Sequence, residues 1–163
     1  MELESKIVIV TGASSGIGAA AARLFASEGA NVVLGARRLA ELEALTQAIN
    51  EGEGKAVFLA GDVRDEGYAE ALVNLATEEF GGLDGAFNNA GIVGDMRPVP
   101  EMSINNWTDV TSVNLTAAFL AAKAQIPAMK ARGQGSIVSH RRSSVSATVA
   151  CRAWEPTPHR KQD

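Results

Sequence analysis

Cysteine and tyrosine each occur once in these 163 residues, at Cys151 and Tyr68, and aromatic residues make up only 5% of the chain. A lone cysteine has no partner for an internal disulfide, so a disulfide-held scaffold is excluded and a reducing, cytoplasmic setting is expected. No apolar run approaches the ~20 residues that cross a bilayer. The acidic opening stretch passes straight into a strand pattern and does not look like a signal peptide. A membrane is therefore not an expected partner. Positive charge is also scarce: the net charge is −4, which makes nucleic acid an unexpected partner. What is present, 46% hydrophobic and 21% charged residues, is the balance of one globular domain and not of a disordered chain.

Two hydrophobic periods alternate up to Val138. Lys6 to Thr11, Asn31 to Gly35, Lys55 to Ala60, Leu83 to Asn88 and Ser136 to Val138 are short apolar runs that read as strands. Between them lie helical stretches. They are Ile17 to Glu28, Leu39 to Asn50, Asp65 to Phe80, and a long one capped by Ser103 that reaches about Ala131. Parallel strands need crossover connections, and strand–helix alternation supplies them. The expected fold is α/β, a three-layer Rossmann-type arrangement of about five parallel strands in the order 3-2-1-4-5, incomplete at the C-terminus. Gly94 to Met102 is the one long loop before residue 138.

The turn after the first strand reads Thr11-Gly12-Ala13-Ser14-Ser15-Gly16-Ile17-Gly18. Glycines there permit a tight turn and let backbone amides approach a pyrophosphate at a helix N-terminus. The spacing is G-x-x-x-G-x-G, and the missing Gly-Lys-Ser/Thr removes the P-loop reading. A plain glycine-rich turn is the competing account, disfavoured by the position after a buried strand. The end of the second strand carries Arg37 and Arg38 where a carboxylate about 20 residues on would bind a ribose 2′-hydroxyl. Guanidinium groups suit a 2′-phosphate, so NADP is favoured and NAD is the alternative. Arginines that merely solvate a helix start are the plainer reading. Asp62-Val63 follows the third strand, Asn88-Asn89-Ala90-Gly91 follows the fourth, and Asn114 sits mid-helix, a poor place for asparagine on propensity. Taken singly, each could equally be a cap, a turn residue or a satisfied polar group.

Together these motifs, in this order and at these separations, resemble the short-chain dehydrogenase/reductase family in its classical form, over roughly residues 5 to 138. The resemblance implies hydride transfer between a nicotinamide cofactor and a small alcohol or carbonyl compound, and in many members a homo-oligomer. It assigns cofactor contacts to Gly12, Ser14, Ser15, Gly16, Ile17 and Gly18, to Arg37 and Arg38, to Asp62 and Val63, and to Asn88, Ala90 and Gly91. The family's catalytic set is Asn, Ser, Tyr and Lys, the last two as Tyr-x-x-x-Lys. Only Asn114 of that set is present; Ser139, Ser143 and Ser144 lie near the serine's place without its flanking residues.

The last 25 residues differ from the rest. Up to Val138 there are 10 Lys+Arg against 17 Asp+Glu; beyond it there are 5 against 2, with both histidines and the only cysteine. The expected division is a dinucleotide-binding domain over 1–138 and a poorly ordered, non-native-looking tail over 139–163. Read one base out of frame, the degenerate codons from Trp154 to Asp163 permit Gly-Ala-Tyr-Ala-Ala-Ser-Lys-Ala-Gly, which contains the missing Tyr-x-x-x-Lys. A base lost near the codons for Val138 and Ser139 is the expected cause, with a natural divergent tail as the alternative. His140, His159 and Cys151 match no zinc spacing, so no metal is expected.

Overall fold

The computed structural model describes residues 2–140 and the pair Cys151–Arg152. Five strands, β1 (Ile7–Thr11), β2 (Asn31–Ala36), β3 (Lys55–Ala60), β4 (Gly85–Asn88) and β5 (Ser136–Ser139), run parallel in the order β3-β2-β1-β4-β5. A two-residue strand, β6 (Cys151–Arg152), adds antiparallel to β5, pairing Ser136 with Arg152 and Ile137 with Cys151. Most of the tail (141–150 and 153–163) lies outside the described residues, and with it Ser143, Ser144 and His159. β5 runs one residue beyond the expected boundary at Val138.

The helices are α1 (Gly16–Ser27), α2 (Leu39–Asn50), α3 (Glu66–Phe80), α4 (Ile104–Thr111) and α5 (Ala117–Ala131). Two side chains cap as their types predict: Asp65 accepts from the Gly67 amide at 2.9 Å, and Ser103 from the Asn106 amide at 3.1 Å. The long helix expected over 103–131 is present but changes its hydrogen-bond pattern midway. A π-helical turn, Ser112–Thr116, separates α4 from α5, with the Ala117 amide bonded back to the Ser112 carbonyl. Pro127, having no amide hydrogen, sits inside α5 without ending it.

Side-chain alternation along β1 explains the layers. Val8 and Val10 face α1 and α2, in a core with Val32, Leu34, Ala22, Ala26, Leu42, Leu45 and Ile49. Ile7 and Ile9 face the other way, joining Val33, Leu72, Val73, Ala76 and Met129 beneath α3 and α5. Strands covered on both faces need apolar residues at every position, which is why β1 and β2 read as unbroken runs. The order reverses between β1 and its neighbour β4, so the loops leaving their C-terminal ends diverge and open a crevice there.

The opposite edge is pinned by Asp84, a buried carboxylate. It accepts from the Ile7 amide at 3.0 Å and from the Arg132 guanidinium at 2.9 and 3.2 Å. Its backbone adds bonds to the Ile7 carbonyl and the Ser136 amide. Asp84→Ala would leave a buried amide and a half-exposed guanidinium without their acceptor. The expected cost is about 2–3 kcal/mol, read as a fall in the thermal midpoint of roughly 5–10 °C. A midpoint within a degree of the parent would show that the carboxylate contributes little.

Candidate cofactor-binding site

Four strand ends meet at the crevice. The turn after β1 bends through Gly12, whose φ of +68° is a left-handed conformation that favours glycine. A Cβ at Gly12 would lie 2.9 Å from the Ala90 Cα, and one at Gly18 only 2.3 Å from the Gly12 carbonyl oxygen. Turn, helix and the loop after β4 are therefore packed backbone against backbone. Thr11 fastens them: its hydroxyl accepts from the amides of Asn89 and Ala90 at 3.1 and 3.2 Å, and the Asn89 side-chain amide donates to the Thr11 carbonyl at 3.3 Å.

Ser15 takes the extended backbone of an N-cap, but its hydroxyl caps nothing. The first amides of α1 thus have no partner within the helix, and they carry the positive end of its dipole. No acidic residue lies in that first turn. Arg38 reaches across from the end of β2 and donates to the Ser14 hydroxyl at 3.0 and 3.3 Å, while pairing with Glu41 at 3.0 Å.

The crevice so formed has a volume of about 270 Å³. It gathers Gly12, Ser14, Ser15, Ile17, Arg37, Arg38, Asp62, Val63, Ala90 and Gly91, ten of the expected contacts. Ile92 and Val113 also line it; nothing in the sequence marked them, because apolar residues after β4 and in a helix carry no signature of their own. Gly16 and Gly18 contribute through the turn's backbone and are not part of the lining.

Asn88 is not brought to the crevice. Its side chain is buried and exchanges two hydrogen bonds of 2.9 Å with Gln125 of α5. It lines a smaller neighbouring cavity with Thr11, Asn114, Gln125, Ser139 and His140. Successive strand residues point to opposite sides, and Asn89, not Asn88, takes the crevice side. Asn114 spends its side chain on a two-way clamp with the Ile92 backbone, accepting from its amide at 2.9 Å and donating to its carbonyl at 2.8 Å. The clamp falls within the π-helical turn and ties the long helix to the loop after β4. The clamp uses one of the two Nδ2 hydrogens and one of the two Oδ1 lone pairs.

Two titratable groups depart from their ordinary behaviour beside the crevice. The Arg64 guanidinium, bonded to Asp62 at 2.6–3.1 Å, holds that carboxyl below the usual range. Burial pushes the Tyr68 phenol well up, and its hydroxyl donates to the Leu59 carbonyl at 2.7 Å. The only tyrosine is thus a buried residue of α3 whose hydroxyl is already spent on the backbone.

The arrangement suits a dinucleotide. The N-terminus of α1, the arginines after β2 and the carboxylate after β3 line one crevice. Comparison with known proteins agrees. A family profile described as short chain dehydrogenase matches residues 6–155. An uncharacterised oxidoreductase of Listeria monocytogenes is 37% identical over 139 residues, 85% of this chain and 56% of that protein. Cyclohexanol dehydrogenase of an Acinetobacter species (strain SE19) is 36% identical over 138 residues, 85% and 55% of the two chains. The crystal structure of levodione reductase superposes with a TM-score of 0.80 at 36% identity, over 83% of this chain and 54% of that one. The chain spans about half the length of the curated relatives it matches. With the parallel sheet, the glycine turn and the crevice all in place, the chain has a Rossmann fold and belongs to the short-chain dehydrogenase family.

Proposed function

We propose that this chain is the cofactor-binding portion of an NADP-dependent oxidoreductase acting on a small alcohol or carbonyl compound in the cytoplasm, and that as written it binds the cofactor without turning over. The observation that carries the reading is the pairing, across one crevice, of the open N-terminus of α1 with Arg37 and Arg38. When bound, the nicotinamide ring would supply or accept a hydride.

The protein's own contributions follow from its groups. Backbone amides from Ser14 to Gly18 and the helix dipole offset the pyrophosphate charge. Arg37 and Arg38 pair with the 2′-phosphate, where a carboxylate would repel it. Asp62 accepts from the adenine amino group. Asn114, through its clamp on Ile92, fixes the floor on the nicotinamide side.

A proton must be given or taken as the hydride moves, and the sequence has no Tyr-x-x-x-Lys to do it. Tyr68 is buried and hydrogen-bonded to the backbone, so it does not take over that task. Purified chain mixed with NADPH and a panel of cyclic and linear ketones should leave the absorbance at 340 nm unchanged. Measurable, ketone-dependent loss of NADPH would overturn the proposal of an inactive chain.

A further inference from the structure

Arg64 follows Asp62 by two residues, and its contacts go beyond a surface ion pair. Its main-chain amide donates to Asp62 Oδ1 at 3.0 Å, its Nε lies 3.1 Å from both carboxylate oxygens, and its Nη2 donates to Oδ2 at 2.6 Å. A carboxylate offers about four lone-pair sites. Three N–H groups, of which Nε–H is shared between the two oxygens, are set against those four sites and leave room for one more donor. From the far side of the guanidinium, Nη1 reaches Asp109 of α4 at 3.7 Å. Asp62 lines the crevice while Arg64 does not. The arginine therefore acts on the site through the carboxylate it grips, and it spans the turn after β3 and the helix opposite.

We propose that Arg64 is a positioning residue for base recognition: it fixes the Asp62 carboxylate in one orientation so that its remaining acceptor site selects a base bearing an exocyclic amino group. The inference rests on the NADP reading above and adds the element that makes the adenine end selective. The groups facing Asp62 are Arg64 from the same turn and Arg37 from the end of β2, with the Asp65 amide bonded to the Asp62 main-chain carbonyl. Both cations favour the ionised carboxylate, in keeping with its lowered pKa. An ionised, acceptor-only carboxylate favours an amino group at the 6-position of a purine and repels a 6-oxo oxygen. A carboxylate freed of Arg64 rotates and presents either oxygen to water, and that contrast fades.

The test is equilibrium titration with NADP and with its hypoxanthine counterpart, in which the 6-amino group is replaced by oxygen. It uses the chain itself, Arg64→Ala and Arg64→Lys. Because both ligands carry the same phosphates, their affinity ratio isolates the base. The parent should prefer NADP. In Arg64→Ala the ratio should fall roughly fivefold, within what one charge-assisted hydrogen bond supplies, with an unchanged melting temperature. Arg64→Lys, keeping the charge without the fork, should restore part of the preference. A ratio equal to the parent's in both variants, or a parent that does not distinguish the two ligands, overturns the role given to Arg64 and leaves NADP binding standing. A folded parent that binds neither ligand overturns the cofactor reading itself.

Discussion

Gly18→Ala is expected to weaken dinucleotide binding strongly and to lower stability together. A Cβ at this position would stand 2.3 Å from the Gly12 carbonyl oxygen and 2.7 Å from the Asn89 side-chain nitrogen. Backbone cannot yield as a flexible side-chain tip does, so α1 must move away from the turn after β1. Overpacking of this kind costs about 1–3 kcal/mol. The functional loss is larger, because displacing the helix N-terminus takes several phosphate-facing amides out of place at once. Affinity for NADP should fall at least ~100-fold, the equivalent of losing about 3 kcal/mol. Thermal melting and titration of the same sample separate the two effects. An alanine variant that melts and binds like the parent would mean the turn is looser than its packing indicates.

Arg37→Asp should invert coenzyme preference. The parent carries two guanidinium groups at the end of β2 and no carboxylate at that position. A charge-assisted hydrogen bond contributes about 1.5–3 kcal/mol, and the aspartate adds repulsion of a 2′-phosphate that carries nearly two negative charges. NADP affinity should therefore drop about 100-fold. NAD affinity should rise, because the new carboxylate can accept from the free 2′-hydroxyl. Arg38→Ala should have the smaller effect: that side chain is half exposed and already shared between Ser14 and Glu41. Competition between NADP and NAD on each variant measures the ratio. If neither substitution moves it, the arginines serve only to solvate the start of α2.

Most of the scaffold was legible in the residues because buried parallel strands leave a plain signature. β3 (Lys55–Ala60) and α2 (Leu39–Asn50) fall where the apolar pattern and the flanking glycines put them. The π-helical turn at Ser112–Thr116 was not legible. It contains Asn114, clamped to Ile92, 22 residues away, and the only sequence trace was an asparagine in a poor helical position. The pairing of Asn88 with Gln125, 37 residues away on another helix, was likewise not legible. The motif residues of the glycine turn and the Arg37-Arg38 pair could be placed because their partners are strand ends whose order the alternation already implies. Arg64 escaped notice although it stands beside Asp62, since only the folded turn brings its fork onto the carboxylate.

Amides at the start of α1 are proposed to hold the phosphates of a nicotinamide dinucleotide. This is tested most directly by titrating the purified chain with NADPH at low salt, following heat release and nicotinamide fluorescence. Saturable one-to-one binding in the micromolar range is expected, competed by adenosine 2′,5′-bisphosphate and weakened by added salt. A cooperatively folded sample that gives neither signal with NADPH or NADH at millimolar concentration would contradict it.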